Sequence, residues 1–118
     1  MTPLVTSPAC PEYDVAIIGA GPSGALAAKL LRDNGLSVVI LEGAEFPRFS
    51  IGESLLPNCM RILEKANLLR PIVEAGFQHK NGAAFERGHE RRDIDFRDNF
   101  DGAWGTAYQV QRANFDKI

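Results

Sequence analysis

Six residues, Gly19-Ala20-Gly21-Pro22-Ser23-Gly24, constrain this chain more than any others, because their glycine spacing works only where a buried strand turns sharply into a helix. The first glycine allows the tight turn. The second lets backbone approach a pyrophosphate, and the third lets helix and strand lie close together. The flanks fit. Val15-Ala16-Ile17-Ile18 is the apolar, β-branched run of a strand buried on both faces of a parallel sheet. Ala25, Leu26, Ala28, Leu30 and Leu31 give residues 22–34 the apolar face of a helix, with Ala28 small enough for a close crossing and Asn34-Gly35 as a left-handed stop. A second strand is expected over residues 37–42. It ends in Glu42, eighteen positions after Gly24, where a carboxylate accepts hydrogen bonds from adenosine ribose hydroxyls and disfavours a 2′-phosphate. Phosphates then sit on the N–H groups at the helix start. This is a grip for the ADP half of a dinucleotide; the alternative is a purely structural βαβ unit.

The expected fold class is α/β: a partial Rossmann-like, doubly wound parallel sheet domain with a small β-hairpin insertion. Such a domain needs about five or six strands, and 118 residues offer two firm parallel strands, a weaker pair and one more near residue 108, so the sheet is expected to be truncated before completion. Residues 1–12, with Pro3, Pro8 and Pro11, read as a flexible leader, and residues 13–118 as the domain portion. Helices are expected over residues 55–66, stopped at Asn67, and over 68–75, stopped at Gly76. Residues 83–87 and 93–97 read as a hairpin turning near Gly88, with Ile94 and Phe96 as its alternating apolar pair. Its dense mixture of four arginines and six acids between Glu86 and Asp101 makes a solvated face. Residues 108–111 are a last strand, and Asn114 caps a helix running to residue 118.

Composition removes several classes of function. A net charge of −2 gives no electrostatic basis for nucleic-acid binding. No apolar run approaches the roughly 20 residues of a membrane helix, and residues 1–12 lack the basic and apolar regions of a signal peptide, so no membrane partner and a cytoplasmic location are expected. Cys10 and Cys59 are expected as reduced thiols, and His79 and His89 lack ligand-spaced partners, which argues against a metal site.

Beyond Glu42, Phe46-Pro47-Arg48-Phe49 and Ile51-Gly52-Glu53-Ser54-Leu55-Leu56-Pro57 resemble the segment after the second strand in flavin-dependent halogenases and related FAD monooxygenases and geranylgeranyl-reductase-like oxidoreductases. Residues 76–85, containing Lys80, resemble the halogenase segment that carries an active-site lysine, and residues 108–116 resemble a strand-to-helix passage of the same family. The likeness covers about residues 13–118. It implies FAD as cofactor, held by Gly19, Gly21, Pro22, Ser23, Gly24 and Glu42, with Arg48 at the pyrophosphate or adenosine and Ser50, Glu53, Ser54 and Arg112 near the flavin or ribityl chain. Lys80 becomes the catalytic candidate: reduced FAD and O2 convert halide to hypohalous acid, and the lysine holds or captures that oxidant beside an electron-rich aromatic substrate. An ammonium is a compact donor suited to this. A surface position is the bland alternative for Lys80, an ion pair with Glu45 for Arg48, and core for Trp104 and Tyr108 in place of a substrate wall.

The resemblance also implies halide, a small aromatic substrate and a separate flavin reductase as partners. The family's downstream Gly-Asp and Trp-x-Trp-x-Ile-Pro segments are absent from these residues. Halogenase, monooxygenase and reductase chemistry therefore stay open, as does a nucleotide-binding fragment with no turnover, or a degenerate one dimerising or aggregating through an exposed sheet edge.

Overall fold

The computed structural model describes residues 11–100, 102 and 104–118. Most of the expected leader, residues 1–10, lies outside them. The chain divides into two compact units, one ending at Glu42 and one spanning Gly43–Ile118.

In the first unit, β1 (Val15–Ile18), α1 (Pro22–Asp33) and β2 (Val38–Leu41) follow the expected order. The strands pair parallel, Val15 opposite Val38 through Ile18 opposite Leu41. Gly19 N–H adds a bond to Leu41 C=O at 2.7 Å. A side-chain clamp sets the start of this ladder: Asp14 Oδ2 accepts from both the N–H and the hydroxyl of Ser37, each at 2.7 Å. Proline suits the first position of α1, where an N–H would have no helical acceptor. At the other end Gly35, at φ +85°, donates to Arg32 C=O and Leu36 donates to Leu31 C=O, the paired reversed bonds of a glycine-terminated helix. Helix α1 covers the sheet face that carries Ile17, with Ala28 buried. The other face departs from the expected two-sided burial. Ile18 is 90% exposed and Leu41 56%, because one helix shields one face.

The second unit contains α2 (Pro57–Lys65), α3 (Leu69–Glu74), β3 (Gln78–Lys80), β4 (Gly82–Arg87), β5 (Glu90–Asp95), β6 (Ala107–Gln109) and α4 (Arg112–Phe115). Met60, Leu63, Ala66, Ile72, Ala107, Tyr108 and Val110 are buried and form its core. Asn67, at φ +57°, ends α2 as expected, with Asn67 N–H bonded to Glu64 C=O and Leu68 N–H to Leu63 C=O. β6 is the organising strand. It pairs antiparallel with β3 on one side, while on the other Ser54 bridges Gln109, Leu55 N–H bonds Tyr108 C=O and Val110 N–H bonds Glu53 C=O.

Three expectations shift. The hairpin turns through two residues with Gly88 at φ +61°, which pairs Arg87 with Glu90 and starts β5 at residue 90 rather than 93. All of β5 is exposed, the solvated face expected, but Ile94 and Phe96 part company: Ile94 is 52% exposed, whereas Phe96, just past the strand, is buried and bonds Asn81 C=O. The final helix begins at Arg112 with Gln111 as its cap, so Asn114 lies within it. β3 was not expected at all, since Gln78-His79-Lys80 has no apolar alternation and is a strand only because β6 supplies the pairing. Among the described residues no helix is long and apolar enough to cross a membrane.

Candidate functional site

The glycine turn of the first unit is built from backbone. Gly19 takes φ +99°, a conformation that glycine reaches without steric cost. Gly21 is extended as the helix cap, offers no side-chain cap bond, and its carbonyl accepts from Ala25 N–H at 2.9 Å. A Cβ on Gly24 would stand 2.0 Å from Gly19 O, so the helix lies against the turn. Pro22 opens α1, and Ser23, in its first turn, is exposed. No acidic side chain occupies that turn, which leaves the positive end of the helix suited to a phosphate. Glu42 follows β2, half-buried, and its Oε2 accepts from Ala20 N–H at 2.7 Å. Gly19, Gly21, Pro22, Ser23, Gly24 and Glu42 are thus one local assembly.

The other candidates belong to the second unit. Lys80 ends β3 opposite Ala107, and its Nζ donates to Ser54 Oγ at 2.6 Å and to Leu55 C=O at 3.4 Å. The ammonium also stands 5.2 Å from the centre of the Phe96 ring, within cation–π range. Lys80 is half-buried and engaged, which departs from the surface alternative. Next to it, His79 lies against Tyr108 with ring centres 4.7 Å apart, and Thr106 Oγ1 donates to Asn81 Oδ1 at 2.8 Å.

Ser50, Glu53 and Ser54 line one cavity of about 340 Å³, together with Phe49, Ile51, Gly52 and Gln109. Arg112 braces the backbone of this loop: one terminal nitrogen donates to Ile51 C=O at 2.7 Å, while Nε and the other terminal nitrogen grip Asp116 at 2.6 and 2.9 Å. The Asp116 side chain is fully buried and that of Arg112 11% exposed. The hydrogen bond to Asp116 holds the guanidinium above its ordinary pKa, with the charges of Asp116 and Glu53 adding to it. Arg48 stands 4.8 Å over the Phe46 ring. Trp104 donates to Glu64 at 3.3 Å and lines a cavity of about 520 Å³ with Pro57, Phe96 and Phe100, whereas Tyr108 is core.

Sequence reasoning missed Asp14, Ser37 and Asp116. The spacing of Arg112 and Asp116, four apart on a helix, was a readable signal for the last; nothing in the pattern pairs Asp14 with Ser37. Cys59 is a free thiol, and no group of metal-ligating side chains occurs among the described residues.

A family model described as FAD binding domain matches residues 12–116. The flavin-dependent halogenase armH3 of Armillaria mellea is 38% identical over 107 residues, covering 89% of this chain and 21% of the relative. A 1H-pyrrole-2-carbonyl peptidyl-carrier protein brominase of Pseudoalteromonas luteoviolacea is 38% identical over 107 residues, covering 91% and 25%. Among solved structures, a flavoprotein/dehydrogenase from Cytophaga hutchinsonii superposes with a TM-score of 0.81 at 50% identity, covering 89% of this chain and 26% of that one. The chain therefore spans about a fifth to a quarter of the length of these proteins.

Proposed function

The chain belongs to the FAD binding domain family, and from that premise we propose that it forms the part of a flavin-dependent halogenase that holds the ADP half of FAD and carries the lysine that handles the oxidant. The observation that carries this reading is Lys80 on Ser54 at 2.6 Å, which joins the segment that resembles the lysine-bearing segment of halogenases to one that they share with related FAD oxidoreductases.

The first unit suits the cofactor. The uncapped start of α1 receives the pyrophosphate, and the Glu42 carboxylate, which can accept on two oxygens, takes ribose hydroxyls besides Ala20 N–H. Reduced FAD, when bound, supplies the two-electron reduction of O2 that turns halide into hypohalous acid. Lys80 acts on that product. An ammonium has three donors, and Ser54 Oγ and Leu55 C=O engage two, leaving one N–H for the oxidant. The centre of the Phe96 ring lies 5.2 Å from the same ammonium. Arg112 and Asp116 keep the Ile51–Gly52 backbone in place beside Ser50 and Glu53. Halide and an electron-rich aromatic complete the reaction, and a separate flavin reductase supplies reduced FAD.

The test transplants residues 12–116 into the matching stretch of the Pseudoalteromonas brominase and follows two readouts, bound FAD and bromination of that enzyme's own substrate. The chimera is expected to retain FAD and brominate; Lys80→Ala in it is expected to retain FAD and lose bromination. A chimera that holds FAD without brominating, or a Lys80→Ala variant that brominates undiminished, refutes the proposal.

A further inference from the structure

We infer that Glu42 has a second role, resting on the reading of the first unit as the ADP site: it is a positioning residue that tethers the glycine turn through Ala20 before any nucleotide arrives. The ladder between β1 and β2 ends at Gly19 N–H on Leu41 C=O, 2.7 Å apart. Ala20 comes next, and its N–H is taken at 2.7 Å by the side chain of Glu42, the residue that follows Leu41. A carboxylate thus supplies one more rung where backbone pairing has run out, and it does so across 22 positions of sequence.

The location of this rung gives it consequence. Ala20 stands between Gly19, at φ +99°, and Gly21, the helix cap. Two glycines in so short a turn leave the free loop more conformations than other residues would, and a phosphate that binds by backbone N–H groups must order them. A charge-assisted bond to Ala20 restricts the turn in advance, so less ordering is left for the ligand to impose. Glu42 then contributes to binding of a nucleotide that has no ribose hydroxyls to offer it. A residue acting through the ribose alone contributes nothing in that case.

The probes are ADP and 2′,3′-dideoxy-ADP, titrated into the 118-residue chain by calorimetry, with Ala20 amide exchange followed by NMR in parallel. Glu42→Ala is expected to speed Ala20 exchange about tenfold while leaving the amides of Val39 and Ile40 unchanged, and to weaken both nucleotides, the dideoxy form by about fivefold. Glu42→Gln, which keeps an acceptor, is expected to restore most of the dideoxy-ADP affinity and of the Ala20 protection. Ala20 exchange indifferent to Glu42→Ala overturns the tether, and so does unchanged dideoxy-ADP affinity, which confines Glu42 to the ribose. Failure of the unaltered chain to bind either nucleotide counts instead against the nucleotide site, and Ala20 exchange then decides the tether by itself.

Discussion

Replacing Gly24 with alanine sets two effects against each other, and the geometry decides between them. Alanine is the better helix former by about 1 kcal/mol, and it also narrows the unfolded ensemble. Against that, the added methyl would meet Gly19 O at 2.0 Å, Gly19 C at 3.2 Å and Ile17 Cγ2 at 3.3 Å. The nearest of these is backbone in a turn already fixed by its bond to Leu41, so relief requires α1 to withdraw from β1 by roughly 1 Å. Overpacking of this kind costs about 1–3 kcal/mol, and an unyielding carbonyl puts it at the upper end. Withdrawal also loosens the contact around Ala28. We expect a net loss of about 2 kcal/mol in urea unfolding followed by circular dichroism, with loss of FAD binding. Gly43→Ala is the matched control: a methyl there meets nothing within 4 Å, and its stability is expected to rise by about 0.4–1 kcal/mol. A Gly24→Ala chain as stable as the original would refute the close-crossing argument.

Two further substitutions probe the second unit. Asp116→Ala leaves a nearly buried guanidinium without its carboxylate and is expected to cost about 3 kcal/mol in the same unfolding assay; a loss under about 1 kcal/mol would mean that Arg112 is satisfied elsewhere. Asp95 is drawn from its ordinary 3.8 to about 2, first by the Arg97 side chain and then by Arg97 N–H. Because the folded value is the lower one, its stabilising contribution is complete above about pH 4 and disappears as pH falls through about 2. A carboxyl NMR titration is expected to give a midpoint near 2, moving part of the way towards 3.8 in Arg97→Ala, which keeps the backbone N–H; an unmoved midpoint would remove the Arg97 side chain as the first cause.

The first unit was legible because its chemistry is backbone chemistry. Gly19, Gly21 and Gly24 announce by the absence of side chains where the main chain must turn or touch, and Asn34-Gly35 and Asn67 announce helix ends in the same way. FAD followed from the likeness around Arg48 and Ser54, and the family match agrees with it. What sequence did not disclose is whatever a partner strand decides. Gln78-His79-Lys80 has no strand pattern of its own, and β5 starts where the two-residue turn dictates rather than where Ile94 and Phe96 alternate. The Asp14–Ser37 clamp joins two polar residues 23 apart that are individually unremarked.

Lys80 shows why a contact of this kind needs the sheet. Ser54 faces Gln109 across one edge of β6, and Lys80 faces Ala107 across the other. Paired residues share a side of a sheet, and so do residues two apart on one strand, so Ser54, Gln109, Ala107 and Lys80 all project to the same side. Between the lysine and the serine lies β6 itself. At that crossing β6 presents Ala107, fully buried and carrying only a methyl, and the long lysine side chain reaches over it to Ser54 Oγ. Four residues from three separated segments thus define one contact, and none carries a motif for it. The glycine turn could be read from one segment because backbone made it, whereas the lysine contact exists only once β6 has chosen both of its neighbours.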